Sequence, residues 1–220
     1  MTQEVMIPRM KRLNEEQKKI KIPMLNIVMV FCSVFLLIGA TFVNINLKHY
    51  ILPINLFSKN LTAQDFIYSF SIIPQIPVLM FICSALGKKM ATMCVMLYIL
   101  IGLFFAPIFA LGGGITYIGE YSFGYILSYL PAVMVSGTFF NKKYSFLNMI
   151  LATVCAVLII HIFGIIYMVL VAIIRQDSGN FISGWIAAQS GLKIFYDVII
   201  SFVLVLIGKY VNAFIKYVLK

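Results

Sequence analysis

Long runs of apolar residues, separated by short charged or Gly/Pro-containing segments, dominate the chain. A helix of about 20 apolar residues crosses about 30 Å of hydrocarbon. Strands of a transmembrane barrel would alternate apolar and polar residues over about ten positions, and these runs do not alternate. The pattern therefore predicts an all-α, polytopic membrane protein. Its six predicted transmembrane helices are Leu25–Val43, Phe66–Leu86, Met90–Ala110, Ser122–Phe140, Phe146–Ile174 and Ile186–Ile207.

The composition excludes two other classes of protein. Hydrophobic residues make up 62% of the 220 residues and charged residues only 11%, where a soluble domain carries about 25% charged residues. The mean hydropathy of +1.03 excludes a water-soluble enzyme domain and a disordered chain. No repeat of about 20–50 residues is visible. We therefore expect a single membrane domain, residues 25–220, after a basic amino-terminal tail, residues 1–24.

The charge distribution predicts how the chain is oriented. Lys and Arg number 17 against seven Asp and Glu, a net charge of +10. In a membrane protein this excess reflects orientation rather than nucleic-acid binding, because basic residues gather in cytoplasmic loops. With a cytoplasmic amino terminus, thirteen basic residues lie inside and four lie at the outer face: Lys48, Lys59, Arg175 and Lys193. Both termini are predicted to be cytoplasmic.

The longest predicted connection on the outer side is the loop Asn44–Gln64. Thr62 lies in this loop and Asp65 directly follows it. The two residues stand at the spacing of a capping box. This spacing predicts that the second helix begins near Ala63.

Ionisable residues inside predicted spans are the first candidates for function, because a charge at mid-membrane costs about 2.5–3.5 kcal/mol. Asp197 lies well inside the sixth span, so it must face a cavity or a partner. Lys193 lies four residues earlier on the same helical face, and a local ion pair between the two is the alternative. We interpret His161, in the fifth span, as hydrogen-bonded between helices rather than as a metal ligand or proton carrier.

Gln75 is a candidate for the wall of a cavity. It lies between Pro74 and Pro77 in the predicted second span. Prolines at this spacing interrupt the helical hydrogen bonds, and interrupted helices are tolerated where they line protein or water.

The connection after the third span contains three consecutive glycines, Gly112, Gly113 and Gly114. Their backbone N–H groups are predicted to approach a small molecule closely and to donate to a carboxylate. A flexible loop is the alternative. Tyr117, Tyr121 and Tyr125 follow, either as an aromatic rim of this site or as part of an interfacial aromatic belt.

Catalytic patterns are missing from the sequence. There is no nucleophile elbow, no phosphate-binding loop and no His-Glu-x-x-His, and the acidic residues are too scattered for a paired-carboxylate site. We predict that the protein is not an enzyme and that it has no catalytic residues, metal site or cofactor.

Several segments together carry a resemblance to a known family. Gln75 stands twelve residues before Gly87, and Tyr98 follows at a further fixed spacing. The other segments, in chain order, are residues 107–110 with the glycine run, 121–125, 160–164 and 195–197. In this order the chain resembles the BioY family of biotin transporters, the substrate-binding S components of energy-coupling-factor importers.

The resemblance implies a capture subunit that binds biotin near the outer face of a bacterial cell membrane. By this hypothesis Asp197 accepts hydrogen bonds from the ureido N–H groups, and Gln75 donates to a ligand carbonyl. Aromatic cover for the rings would come from Phe109, Tyr125 and Tyr167. The carboxylate would be received by the amides of Gly112, Gly113 and Gly114 and by the hydroxyl of Ser122.

Two further expectations come from the resemblance. The family usually has a lysine three residues after the aspartate, where this chain has Ile200, and Lys193 is the candidate to replace it. The chain has no nucleotide-binding motif, so the family implies a membrane coupling subunit and two ABC-type ATPases as partners in the bilayer, with no nucleic acid.

The alternatives are a capture protein that works alone, a capture subunit for another vitamin such as riboflavin or thiamine, and a membrane assembly protein without transport function.

Overall fold

The structure is a computed structural model that describes residues 24–50, 67–142 and 145–218. Apart from Met24, the predicted amino-terminal tail lies outside these residues. The described helices are α1 (Met24–Phe42), α2 (Gln75–Leu86), α3 (Lys88–Phe104), α4 (Phe123–Leu127), α5 (Tyr129–Phe140), α6 (Phe146–Arg175), α7 (Gly179–Ser190) and α8 (Lys193–Val218). Two strands, β1 (Ile45–Tyr50) and β2 (Ile67–Ile72), and a 3₁₀ helix (Ile115–Gly119) complete the described elements.

The described residues form a mainly helical fold with apolar helices. Four segments are long and apolar enough to cross a membrane: Met24–Phe42, Phe123–Phe140, Phe146–Arg175 and Gly179–Val218. Helix α2 is apolar but has only 12 residues, and α3 has 17. The predicted total of six spans and the cytoplasmic position of both termini stay predictions.

The predicted second span is wrong in its first part. Residues Ile67–Ile72 form a strand that pairs antiparallel with Ile45–Tyr50, so part of the predicted outer loop is also a strand. The reason lies in the sequence, since the large residues Tyr68, Phe70 and Ile72 alternate with two serines, a period of two. Helix α2 begins at Gln75 rather than near Ala63, which lies outside the described residues.

The two prolines start α2 instead of interrupting it. Pro74 occupies the N-cap position and Pro77 lies in the first turn, where backbone N–H groups have no helical acceptor and a missing one costs nothing. The predicted interrupted helix is therefore wrong, although Gln75 is buried as expected for a cavity wall.

Two other predicted spans also differ from the structure. Helix α3 ends at Phe104, before the predicted limit of Ala110, because the chain turns back so that the Gly114 N–H donates to the Gly102 carbonyl at 2.8 Å. The predicted span Ile186–Ile207 is divided between α7 and α8, which are separated at Gly191. By contrast, α6 agrees with its predicted span to one residue.

The helices pack in a bundle in which α2 lies along α8, and both α4 and α5 lie along α6. The contact between α2 and α8 is close because Gly208 has no side chain there, and a Cβ atom at this position would overlap the Ser84 side chain. The core between the helices is formed by fully buried apolar residues such as Leu79, Val133 and Ile160.

The two ends of the bundle differ in charge. At one end, which we call the basic end, the Lys209 ammonium donates to the carbonyl of Phe140 at 3.1 Å, and Lys88 lies against Gly137. At the opposite end, Glu120 pairs with Arg175 at 3.4 Å. The positive-inside rule predicts that the basic end faces the cytoplasm.

Candidate ligand cavity

A cavity of about 180 Å³ lies between α2, the connection after α3, and helices α4 to α8, away from the basic end. Its lining combines aromatic and polar side chains, which is typical of sites for small organic molecules. The aromatic residues are Tyr117, Tyr125, Tyr129 and Trp185. The polar residues are Gln75, Ser122, His161, Gln189 and Lys193.

A chain of hydrogen bonds runs along one wall of the cavity. The Tyr125 hydroxyl lies 2.7 Å from Ser190 Oγ, which lies 2.9 Å from Nδ1 of His161. On the other side of the ring, His161 Nε2 lies 3.2 Å from Oδ2 of Asp197. The chain joins α4, α7, α6 and α8. The expectation that His161 is hydrogen-bonded between helices is confirmed.

One consistent set of directions for these hydrogen bonds has a carboxylate at Asp197. Its Oδ2 accepts from the Nε2–H of His161, so in the neutral ring Nδ1 accepts from the Ser190 hydroxyl. Ser190 Oγ then accepts from Tyr125. In this arrangement the phenol oxygen of Tyr125, at the cavity wall, can still accept a hydrogen bond.

Asp197 itself is fully buried behind the cavity wall and does not line the cavity. Within the described part of the chain, its second oxygen, Oδ1, has no hydrogen-bond partner, and the same is true of Ser201 Oγ one helical turn further along α8. A buried carboxylate oxygen without a hydrogen-bond donor lowers the free energy of unfolding. Asp197 therefore stays a candidate binding residue beside the cavity.

Lys193 lines the cavity, close enough to Asp197 for their charges to attract each other. In the described residues, however, the carboxylate of Asp197 bonds to the His161 ring, and the Lys193 ammonium does not lie within ion-pair distance of it. The alternative of a local ion pair between Lys193 and Asp197 is therefore wrong. Lys193 thus presents its amino group at the cavity wall as a hydrogen-bond donor.

Gln75 lines the cavity, but its amide group is used inside the protein. The Nε2 atom donates to Thr41 Oγ1 at 2.5 Å and to the Tyr98 hydroxyl at 2.8 Å, and Oε1 accepts from the Tyr129 hydroxyl at 3.0 Å. Because an amide has only two N–H groups, the structure disagrees with the predicted donation from Gln75 to a ligand carbonyl.

The glycine run forms a defined turn. The Gly112 N–H donates to the Phe109 carbonyl at 3.0 Å, and the Gly114 N–H donates to Gly102. Gly112 and Gly114 have φ angles of 125° and 87°, which favour glycine. The predicted carboxylate-binding role is thus wrong for the amides of Gly112 and Gly114. The hydrogen-bonded turn also differs from the flexible loop that was the alternative prediction.

Of the three aromatic residues predicted to cover a ligand, Tyr125 lines the cavity. Phe109 lies in the core instead, with its ring 4.8 Å from that of Tyr117. Tyr167 packs against Phe123 at 5.9 Å, and its hydroxyl donates to the carbonyl of Ile118. Phe109 and Tyr167 therefore support the cavity wall from behind.

Ser122 lines the cavity, as predicted for a site residue. Its hydroxyl lies 2.8 Å from that of Tyr117. Burial raises the pKa of Tyr117 above its ordinary value of 10.0, so the phenol is neutral at physiological pH. The pair presents two hydroxyl groups at the rim of the cavity.

Sequence reasoning missed the contribution of α7. Trp185 and Gln189 line the cavity, and the Trp185 ring lies 5.9 Å from that of Tyr125. The sequence feature that points to α7 is Trp185, the single tryptophan of the chain, which lies just before a predicted span.

Comparisons with known proteins agree with this architecture. The chain superposes on a crystal structure of the S-component for biotin from an ECF-type ABC transporter with a TM-score of 0.60 and 18% sequence identity. The match covers 90% of this chain and 93% of that one, and at this identity it shows the fold alone. A comparison with curated protein sequences gives no match. The family model described as the BioY family matches residues 14–217, and the chain therefore belongs to the BioY family.

Proposed function

We propose that this protein is the biotin-capture subunit of an energy-coupling-factor importer in a bacterial cell membrane. Membership of the BioY family and the fold of a biotin S-component support the proposal. The observation that carries it is the buried Asp197 beside the cavity, whose Oδ1 has no partner in the described residues.

The ureido group of biotin offers one carbonyl acceptor and two N–H donors. Lys193 and Asp197 lie one helical turn apart on α8 and present the complementary donor and acceptor. In the proposed complex, Asp197 Oδ1 accepts from a ureido N–H, and the Lys193 ammonium donates to the carbonyl. Because Asp197 does not line the cavity, this contact requires a side chain of the cavity wall to move aside.

The rest of the cavity suits the remaining parts of the ligand. The aromatic rings of Tyr125 and Trp185 provide apolar cover for the thiophane ring. At the rim, the Ser122 hydroxyl is placed to donate to the valerate carboxylate. Lys193 in this scheme replaces the lysine that the family usually has at the position of Ile200.

Import needs a source of energy that this chain does not encode, since its sequence has no nucleotide-binding motif. We propose that a membrane coupling subunit and two ABC-type ATPases supply it. In this arrangement both termini lie in the cytoplasm and the ligand cavity faces outward, as the distribution of basic residues predicts.

The test is thermal unfolding of the purified protein in detergent with biotin, riboflavin or thiamine. A ligand at 100 times its dissociation constant adds about 2.7 kcal/mol to the free energy of unfolding. We expect stabilisation by biotin alone. Stabilisation by riboflavin or thiamine instead would identify a different vitamin, and no stabilisation by any of them would favour the membrane assembly protein.

A further inference from the structure

A second cavity, of about 380 Å³, lies at the basic end of the bundle, far from the ligand cavity. It is formed where the end of α5 meets the last turns of α8. Three lysines line it, together with an amide and aromatic side chains. They are Lys142, Lys209 and Lys216, with Asn212, Tyr210 and Phe140.

The three ammonium groups of this cavity have no carboxylate near them in the described residues. Lys209 Nζ donates to the Phe140 carbonyl at 3.1 Å and lies 4.7 Å from the centre of the Phe140 ring. Lys142 Nζ lies 5.1 Å from the centre of the Phe139 ring. Ring faces and a carbonyl oxygen neutralise an ammonium less well than an anion does.

The acidic residues of the described ranges lie elsewhere. Glu120 and Asp177 are bonded to Arg175 and Tyr121 at the opposite end of the bundle, and Asp197 is bonded to His161 beside the ligand cavity. Among the described residues, the cavity at the basic end is therefore a concentration of positive charge that an external anion would compensate.

An exposed apolar face of α8 leads to this cavity. Its large side chains recur every three or four residues, which places them on one side of the helix. They are Ile199, Val203, Ile207, Tyr210, Phe214 and Tyr217, and all are exposed. Tyr210 belongs both to this face and to the cavity lining, so the apolar surface and the positive charge are continuous.

We propose that the cavity at the basic end binds the phosphate of an anionic phospholipid, with the acyl chains along the exposed face of α8. A cluster of basic residues next to an apolar helix face matches both parts of such a lipid. An acidic protein segment would match the charge, but it would not use the apolar face. The proposal is independent of which ligand occupies the other cavity.

The test measures thermal unfolding of the full chain in non-ionic detergent during titration with phosphatidylglycerol, phosphatidylcholine or inorganic phosphate. We compare the wild type with Lys142→Gln/Lys216→Gln, which keeps Lys209 on the Phe140 carbonyl. The control Lys48→Gln/Lys89→Gln removes the same charge from exposed positions outside the cavity. Lys142→Arg/Lys216→Arg keeps the charge and shows whether the pair tolerates substitution.

We expect phosphatidylglycerol to stabilise the wild type, the control and the arginine variant, and to bind the glutamine variant about tenfold more weakly. Equal stabilisation by phosphatidylcholine, or an unchanged affinity of the glutamine variant, would overturn the proposal. Full stabilisation by inorganic phosphate would identify a phosphate site without a lipid. Loss of binding to the coupling subunit with unchanged lipid affinity would identify a protein contact instead.

Discussion

His161 Nε2 lies 3.2 Å from Asp197 Oδ2, and this contact joins α6 to α8 at the wall of the ligand cavity. Both side chains are buried, with exposed fractions of 1% for His161 and 0% for Asp197. The second nitrogen of the same ring binds Ser190 at the end of α7. His161, on α6, therefore connects α7, which carries Ser190, with α8, which carries Asp197.

Replacement of His161 by leucine removes both of these contacts. It leaves the buried carboxylate of Asp197 without the His161 ring as its hydrogen-bond partner, and loss of the partner of a buried charged group is strongly destabilising. We expect the free energy of unfolding to fall by about 3 kcal/mol, measured by thermal or chemical unfolding in detergent. The adjacent Ile162, which is 52% exposed, provides the control Ile162→Leu. Equal stability of the two variants would contradict the structural role of His161.

Gly164 in α6 permits close contact with Tyr125. A Cβ atom at position 164 would lie 2.5 Å from the Cδ1 atom of the Tyr125 ring, which lines the ligand cavity. We expect Gly164→Ala to displace this ring, lower stability by about 2 kcal/mol and weaken ligand binding. The measurements are unfolding and a biotin titration.

Gly184 provides a matched control for this substitution. It lies in α7, and a Cβ atom there would meet no atom within 4 Å. Because alanine is the better helix former, Gly184→Ala should leave stability unchanged or raise it by up to about 1 kcal/mol. A loss of stability as large as that of Gly164→Ala would show that the effect is not the contact with Tyr125.

Gln75 connects α1, α3 and α5 through its bonds with Thr41, Tyr98 and Tyr129. In Gln75→Leu these buried hydroxyl groups lose a partner, so we expect a loss of about 2 kcal/mol in the free energy of unfolding. Gln189→Leu, at another residue that lines the cavity, should change stability little. If Gln75→Leu weakened biotin binding without loss of stability, Gln75 would be a direct ligand contact.

The sequence was most informative about long apolar helices and isolated polar residues. A continuous apolar run predicted α6 almost to the residue, because such a run has few alternatives inside a membrane. Asp197 and His161 were identified as important because a buried ionisable group needs a partner. Their contact with each other was not predicted, since it depends on how α6 and α8 pack.

The main errors came from local features that compete with hydrophobicity. Residues 68–72 lie in a stretch that is apolar on average, which favours a membrane helix, although their period of two is that of a strand. The glycine run predicts ligand binding only if its backbone N–H groups are free. In the structure the N–H groups of Gly112 and Gly114 bind carbonyl groups of the protein, and such partners cannot be deduced from composition.

The most direct test of the proposed function is the affinity of Asp197→Asn for biotin, measured by calorimetric titration in detergent. Asparagine keeps the size of the side chain but removes the charge, so we expect binding to weaken about tenfold or more. Asp177→Asn is the control, because Asp177 binds Tyr121 outside the cavity, and it should keep the wild-type affinity. If Asp197→Asn bound biotin as tightly as the wild type, the assignment of Asp197 to the ureido group would be contradicted.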